Sequence, residues 1–242
     1  DLVRSRGLGD VYKRQGLYAG LWRGFIDLEV YRAGARTLLD GYPVYGPGPL
    51  AGGPGLPFTY PPPALLLFIP LVVLPAGIAH GLFFATSVTA LAGVLWIVLR
   101  ALAPGREPMT AVAVAVVAAT ACLFLEPISS TLGYGQINLV LLLLITLDTL
   151  TAARHWPRGL LLGFAVAIKL TPVVFLLFFI VRRDRRTVVV TVVTAVATIG
   201  AAWLAAPTDS TRYWFHAVWD TGRIGAPWYA NNQSLNGALA RL

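Results

Sequence analysis

Charge and cysteine are what this sequence has least of. Only 12% of its 242 residues are charged, against about 25% in ordinary soluble domains, so a conventional water-soluble globule is excluded. The single cysteine, Cys122, rules out an intrachain disulfide and a cysteine metal cluster. It lies in an apolar stretch and reads as a small packing residue. The three histidines, His80, His155 and His216, are too scattered to form a zinc site. A Walker loop, an HExxH helix and a GxSxG elbow are all missing, which leaves soluble-nucleotide chemistry without support. The net charge of +8 is not a nucleic-acid footprint. The basic residues fall in short clusters between apolar runs, as in cytoplasmic loops.

What is present is 57% hydrophobic residues at a mean hydropathy of +0.70. Several apolar runs approach or exceed the roughly 18–20 residues that cross a bilayer as helix. They lack the alternation of a barrel strand. Only helices and closed barrels satisfy their backbone in lipid. The fold class is therefore all-α, a polytopic transmembrane helical bundle with interfacial and re-entrant helices.

Residues 1–15, DLVRSRGLGDVYKRQ, are charged and aperiodic. They resemble a translated sequencing-adapter artefact, the alternative being a genuine basic N-terminus, and they are set aside. Residues 16–242 are expected to be one partial transmembrane domain, lacking most of its first helix and its C-terminal helices. Residues 16–26 form the tail of that first helix. Residues 28–40 place Leu28, Val30, Tyr31, Ala35, Leu38 and Leu39 opposite Glu29, Arg32, Arg36 and Asp40, which predicts a short interfacial helix. A Gly/Pro-rich loop follows, and its Tyr42, Tyr45, Phe58 and Tyr60 are expected to anchor at the headgroups. Residues 64–75 are apolar but too short to span. Crossings are expected over about 77–99, 109–130, 136–151 and 187–206.

Arginine clusters mark the cytoplasmic side. Arg100/Arg106 and Arg154/Arg158 agree across two crossings. Arg182–Arg186 then belongs on the same side, although one apolar run, 159–181, separates it from Arg158. A re-entrant hairpin broken near Pro172 resolves the conflict, since the residue before proline is biased away from helix. A simple span is the alternative. In this scheme Asp27, the 41–63 loop, the 131–135 turn and residues 207–242 share the outer face.

Five places carry polar groups worth weighing as a site. Asp27 stands where the apolar tail ends. It serves as the N-cap of the following helix, as a general base with a raised pKa, or as both. Glu29 points elsewhere on the helix and reads as solvated. Tyr60, in FTYPPP, is either part of a rigid lead-in to the next helix or the wall of an external cavity. Gln136 and Asn138 start a helix after a glycine turn. Their amides suit interhelical bonding and equally suit sugar hydroxyls. Lys169 is an ammonium inside an apolar run, which snorkels or meets an anion such as a lipid phosphate. Glu126 is a second charge in apolar surroundings, a possible partner for Lys169 or a surface residue. The last segment mixes Trp and Tyr with amides such as Asn232 and Gln233, a vocabulary for sugars that also decorates membrane interfaces. His216, Asp220, Arg223 and Arg241 are its ionisable residues to watch.

Together, Asp27 before LEVYRAGARTLLDGYPVY, FTYPPPALL, LGYGQINLVLLLL, GFAVAIKLTPVVFLL before RRDRR, and NNQSLNGALAR resemble glycosyltransferase family 87. This is a GT-C-type membrane family that includes actinobacterial polyprenyl-phosphate-mannose-dependent α-(1→2)-mannosyltransferases. The likeness runs from about residue 22 to 242. It implies a GT-C bundle and a hexosyltransferase that moves mannose from polyprenyl-phosphate mannose to a hydroxyl of a glycolipid or lipoglycan, with inversion. The reaction would occur at the outer face of the cell membrane, without a cofactor and with no residue assigned to a metal. Asp27 matches the family's catalytic aspartate in the first extracytoplasmic loop. Tyr60, Gln136, Asn138, Lys169, Asn232, Gln233 and Arg241 would bind substrate, with Lys169 or Arg241 stabilising the leaving phosphate. The alternatives are transfer of another polyprenyl-linked sugar, or a transporter of lipid-linked sugar, since broken helices also serve transporters.

Overall fold

The computed structural model describes residues 24–46, 48, 50, 52–151, 155–224 and 235–241. Among them there is no strand. The helices are α1 (Ile26–Leu39), α2 (Pro62–Val72), α3 (Ala76–Leu102), α4 (Pro108–Cys122), α5 (Glu126–Tyr134), α6 (Asn138–Leu150), α7 (Leu160–Ile168), α8 (Phe175–Val181), α9 (Arg185–Ala205), α10 (Pro207–Phe215) and α11 (Leu235–Ala240). Helices α3 and α9 are long and apolar enough to cross a bilayer. Valines of α4 and α9 and the outer side of α8 are exposed. Such faces suit lipid rather than water.

The predicted crossing over 109–130 is not one straight helix. Helix α4 ends at Cys122, and α5 leaves at 82° to it. Pro127 sits in the first turn of α5, where its missing N–H does no harm but where it cannot extend a helix from before. Helix α5 thus turns aside and delivers Gly135 to the start of α1. Helix α6 returns beside α3, with Gly93 facing Leu143.

The 159–181 segment is broken as expected. Helix α7 stops at Ile168, Lys169 is extended (φ −146°, ψ 130°), and a 3-10 turn over Thr171–Val174 leads into α8. Its direction follows from α9. Gly159 lies against Thr187 and Thr191, and Gly163 against Thr191 and Thr194, so α7 and α9 run parallel. The chain between them must come back, and α8 is the returning arm. Nine residues of α7 rise about 14 Å, half a hydrocarbon core. Arg158 and Arg182, at the two feet, line one cavity, and Lys169 sits at the tip.

The foot of the hairpin is held by a residue that the sequence analysis passed over. Asp148, buried near the end of α6, accepts from the Gly159 and Leu162 N–H groups at 2.7 and 3.1 Å and from Trp156 Nε1 at 3.2 Å. A carboxylate from another helix thereby satisfies the unpaired N–H groups of the first turn of α7. A charge within LLLLITLDTL was itself the signal.

Two further expectations change. Tyr45 and Phe58 are buried in the main core, while Tyr42 is 68% exposed. The loop is tied down from within: the Val44 N–H donates to buried Asp209 at 2.8 Å, Tyr45 OH to the Tyr60 carbonyl at 2.7 Å, and Arg223 to the Gly46 carbonyl at 2.9 Å. Asp209 and Arg223 come from α10 and the segment after it, too distant in sequence to be read from the loop. Glu29 is not simply solvated. It pairs with Arg32 at 3.1 Å and with His80 at 2.5 Å, because α3 starts beside this face of α1.

The close approach of α7 to α9 yields a stability prediction. A Cβ on Gly163 would lie 2.6 Å from Thr194 Cβ and 2.7 Å from the Thr191 carbonyl oxygen. Gly163→Ala is expected to cost about 1–3 kcal/mol by overpacking. Gly200→Ala, with nothing within 4 Å, should be neutral or slightly stabilising. Thermal unfolding of both variants in detergent checks the contrast.

Candidate active site

The site begins at a tight turn. Gly24 and Phe25 both have positive φ, 74° and 51°, and the chain enters α1 directly after them. The strained Phe25 is held on three sides. It is buried, its ring stacks on His80 at 4.8 Å, and its N–H donates to the Gly133 carbonyl at 3.0 Å. Such over-determination is what keeps a left-handed non-glycine residue in place. Helix α1 therefore starts at Ile26, two residues before the predicted start. Asp27 lies inside its first turn and is not the N-cap, a position that belongs to Phe25 and carries no side-chain cap bond. The capping account of Asp27 is overturned, and its carboxylate is directed elsewhere.

It is directed to Gln136. Gln136 Nε2 donates to Asp27 Oδ2 at 2.5 Å. With its nitrogen committed, Gln136 Oε1 accepts from Asn138 Nδ2 at 2.8 Å. Asn138 Oδ1 in turn accepts from Lys169 Nζ at 2.7 Å. Lys169 also donates to Tyr60 OH at 3.3 Å and lies 5.1 Å from the Tyr60 ring centroid. Tyr31 OH completes the set by donating to Tyr60 OH at 2.8 Å. Every donor between Lys169 and Asp27 points towards the carboxylate. The ammonium and carboxylate form an ion pair bridged by two amides, in which each bond polarises the next.

The turn over Gly135 makes this possible. Gly135 has φ 69°, and a Cβ there would lie 2.8 Å from Leu28 Cβ. Only glycine brings Gln136 so close to α1. Burial pushes the Asp27 carboxyl above its ordinary 3.8, while the Gln136 bond and the charge of Lys169 pull it back. Tyr60, largely buried, is pushed up to about 12 and stays a neutral phenol at any ordinary pH.

Tyr60 and Lys169 form one wall of a cavity of about 400 Å³, and Asp220 and Arg223 stand in its lining with Tyr213. Arg223 holds the cavity rim through the Gly46 and Phe58 carbonyls at 2.9 and 3.4 Å. The cavity thus offers two cations, one carboxylate, aromatic faces and a volume of sugar size.

Of the residues anticipated from sequence, Asp27, Tyr60, Gln136, Asn138 and Lys169 form one connected network. Asn232 and Gln233 lie outside the described residues. Arg241 is exposed on the last turn after α11 and is not a member of the network. Glu126 does not pair with Lys169; it is exposed and accepts from Ser130 Oγ. Two further residues of the site, Tyr31 in the network and Arg223 at the cavity rim, were not anticipated. Tyr31 was assigned to the apolar face because its hydroxyl has no partner nearby in sequence. Arg223 was noted only as ionisable, since its role depends on loops far away in the chain. Among the described residues no group of acidic, histidine and cysteine side chains is arranged to hold a metal.

The bridge predicts a titration. Gln136→Leu removes a bond that favours the ionised carboxylate, so the Asp27 pKa should rise further above its ordinary value. Infrared difference spectra with isotope-labelled aspartate, recorded against pH, follow the carboxyl band. No upward move in Gln136→Leu would mean that the bond does not hold the charge.

Comparison with known proteins gives the family. Curated relatives include the polyprenol-phosphate-mannose-dependent alpha-(1-2)-phosphatidylinositol mannoside mannosyltransferases of Mycolicibacterium smegmatis, 43% identical over 90% of this chain, and of Mycobacterium tuberculosis, 43% identical over 91%. A polyprenol-phosphate-mannose-dependent alpha-(1-2)-phosphatidylinositol pentamannoside mannosyltransferase of M. smegmatis is 35% identical over 90% of the chain. The alignments cover 52%, 56% and 52% of those proteins, so the chain spans about half their length. No solved structure matches. The model of glycosyltransferase family 87 matches residues 58–242, a stretch that holds every network residue except those of α1, and the chain belongs to that family.

Proposed function

We propose that the full-length protein transfers mannose from polyprenyl-phosphate mannose to a hydroxyl of a glycolipid, with inversion, and that Asp27 is the general base. The observation that carries this is the half-buried Asp27 carboxylate bridged through Gln136 and Asn138 to Lys169. A base must be ionised yet still basic. Burial raises its proton affinity, and the bridge keeps the charged form available without a direct ion pair that would neutralise it.

The step is a single displacement. The acceptor hydroxyl gives its proton to Asp27, its oxygen attacks the anomeric carbon, and the bond from that carbon to the phosphate oxygen breaks. Lys169 stands where the phosphate's developing charge is to be met, with Arg223 lining the same cavity. The leaving phosphate is already a stable anion, so a strong general acid is unnecessary. No metal or cofactor enters the scheme. The acceptor class follows the 43% identical relatives, which are named as phosphatidylinositol mannoside mannosyltransferases.

The side of the membrane follows from charge. Arg158 and Arg182–Arg186 gather at the feet of the hairpin, and Lys169 is at its tip. With arginines inside, the Asp27 network faces the extracytoplasmic side of the plasma membrane. There a polyprenyl phosphate presents its sugar at the boundary between lipid and water.

The test uses the complete gene, expressed in membranes lacking polyprenyl-dependent mannosyltransferases and supplied with labelled polyprenyl-phosphate mannose. Wild type should label glycolipid, and Asp27→Asn at equal expression should lose about 10²–10⁴-fold. Equal transfer by both removes Asp27 as base; transfer by neither favours another donor sugar or transport of the lipid. The kcat/KM profile should fall on the acid side, with a midpoint above 3.8, the ordinary carboxyl value. Lys169→Ala should weaken use of the donor more than use of the acceptor. An equal effect on both, or none, counts against its phosphate role.

A further inference from the structure

The opposite end of the hairpin holds a second cavity, of about 520 Å³, between its two feet. Arg158 and Arg182 face it, and Leu150, Phe175, Phe178 and Phe179 supply apolar walls. Neither guanidinium has a hydrogen-bond or ion-pair partner among the described residues. Arg158 Nε is buried without a partner. Arg182 has only the face of Phe178, 5.4 Å from the ring centroid. Asp184 also lines the cavity, but its carboxylate accepts from the Thr187 N–H and Oγ at 3.1 and 2.7 Å as the cap of α9. A buried, unpaired guanidinium is costly. Half-buried Arg158, whose Nε is unsatisfied, and exposed Arg182 face one cavity, and two like charges there call for an anion.

The walls say which kind. A free inorganic anion uses the guanidinium groups and leaves the aromatic walls idle. A phospholipid uses both, with its phosphate between the arginines and an acyl chain along the phenylalanines. The outer side of α8 continues this surface: Leu177, Ile180 and Val181 are 61%, 55% and 82% exposed. On the far side of the α8–α9 turn, Arg183 and Arg185 line another cavity with apolar walls, so the whole foot is basic at membrane-surface depth. We propose that the cavity between Arg158 and Arg182 binds the phosphate of an anionic phospholipid. The lipid joins Arg158, two residues before α7, to Arg182, the residue after α8, closing the foot of the hairpin whose tip carries Lys169 about 14 Å away. This site is separate from the Asp27 network and does not depend on the proposed reaction.

The experiment is native mass spectrometry of the full-length protein in non-ionic detergent. It is titrated with dioleoyl phosphatidylglycerol, with dioleoyl phosphatidylcholine, and with phosphatidylglycerol in excess inorganic phosphate. Wild type should retain phosphatidylglycerol over phosphatidylcholine by on the order of tenfold, given about 1 kcal/mol per arginine at a membrane surface. Arg158→Gln with Arg182→Gln should abolish the preference, and inorganic phosphate should not displace the lipid. Should the double variant fail to fold, Arg182→Gln alone, at an exposed residue, is expected to lose a good part of the preference and Arg182→Lys to recover it. Equal retention of the two lipids, or a preference untouched by removal of Arg182, overturns the proposal. Displacement by inorganic phosphate overturns the lipid and leaves a soluble-anion site.

Discussion

A carboxylate and an ammonium are held apart in this molecule and joined by two amides, and the surrounding fold is arranged around that connection. Neither charge can be left alone at the depth of a membrane. A direct contact between Asp27 and Lys169 would satisfy both and blunt both. The bridge through Gln136 and Asn138 satisfies each while leaving it a free side. Both amides have their orientation decided by the charges at the ends, since only one assignment of donor and acceptor runs from ammonium to carboxylate.

Three backbone features serve this bridge. The left-handed Phe25 starts α1 early enough to put Asp27 on its first turn. The glycine turn at Gly135 carries Gln136 against α1. The break after Ile168 stops α7 so that Lys169 is at a tip rather than within a continuous span. Broken backbone at membrane depth must be covered by protein or line a polar cavity. Here Pro172 is buried, and Lys169 opens onto the cavity that it shares with Tyr60. The hairpin keeps its position because small residues let α7 and α9 meet closely, and because Asp148 secures its first turn.

Residues that never touch the bridge still shape the cavity. Asp209 and Arg223 bind the backbone of the Gly/Pro-rich loop, and Tyr45 binds the carbonyl of Tyr60. A segment that no regular element tolerates is thus ordered by partners from the far end of the chain. Its aromatic residues divide accordingly. Phe58 and Tyr45 fill the core, Tyr60 lines the site, and Tyr42 faces out.

Much of this was legible without coordinates. Apolar runs and arginine clusters determined a helical membrane protein and the hairpin, because the cost of exposed backbone and charge in lipid allows few other arrangements. Asp27, Tyr60, Gln136, Asn138 and Lys169 stood out singly, as polar groups where apolar surroundings make them expensive. That they form one chain of hydrogen bonds was decided only by the tertiary structure. The bend between α4 and α5, the true start of α1, and the parts played by Tyr31, Asp148 and Arg223 were likewise settled there. Local pattern reports what a residue costs where it stands; its partner comes from another helix, and distance along the chain carries no record of it.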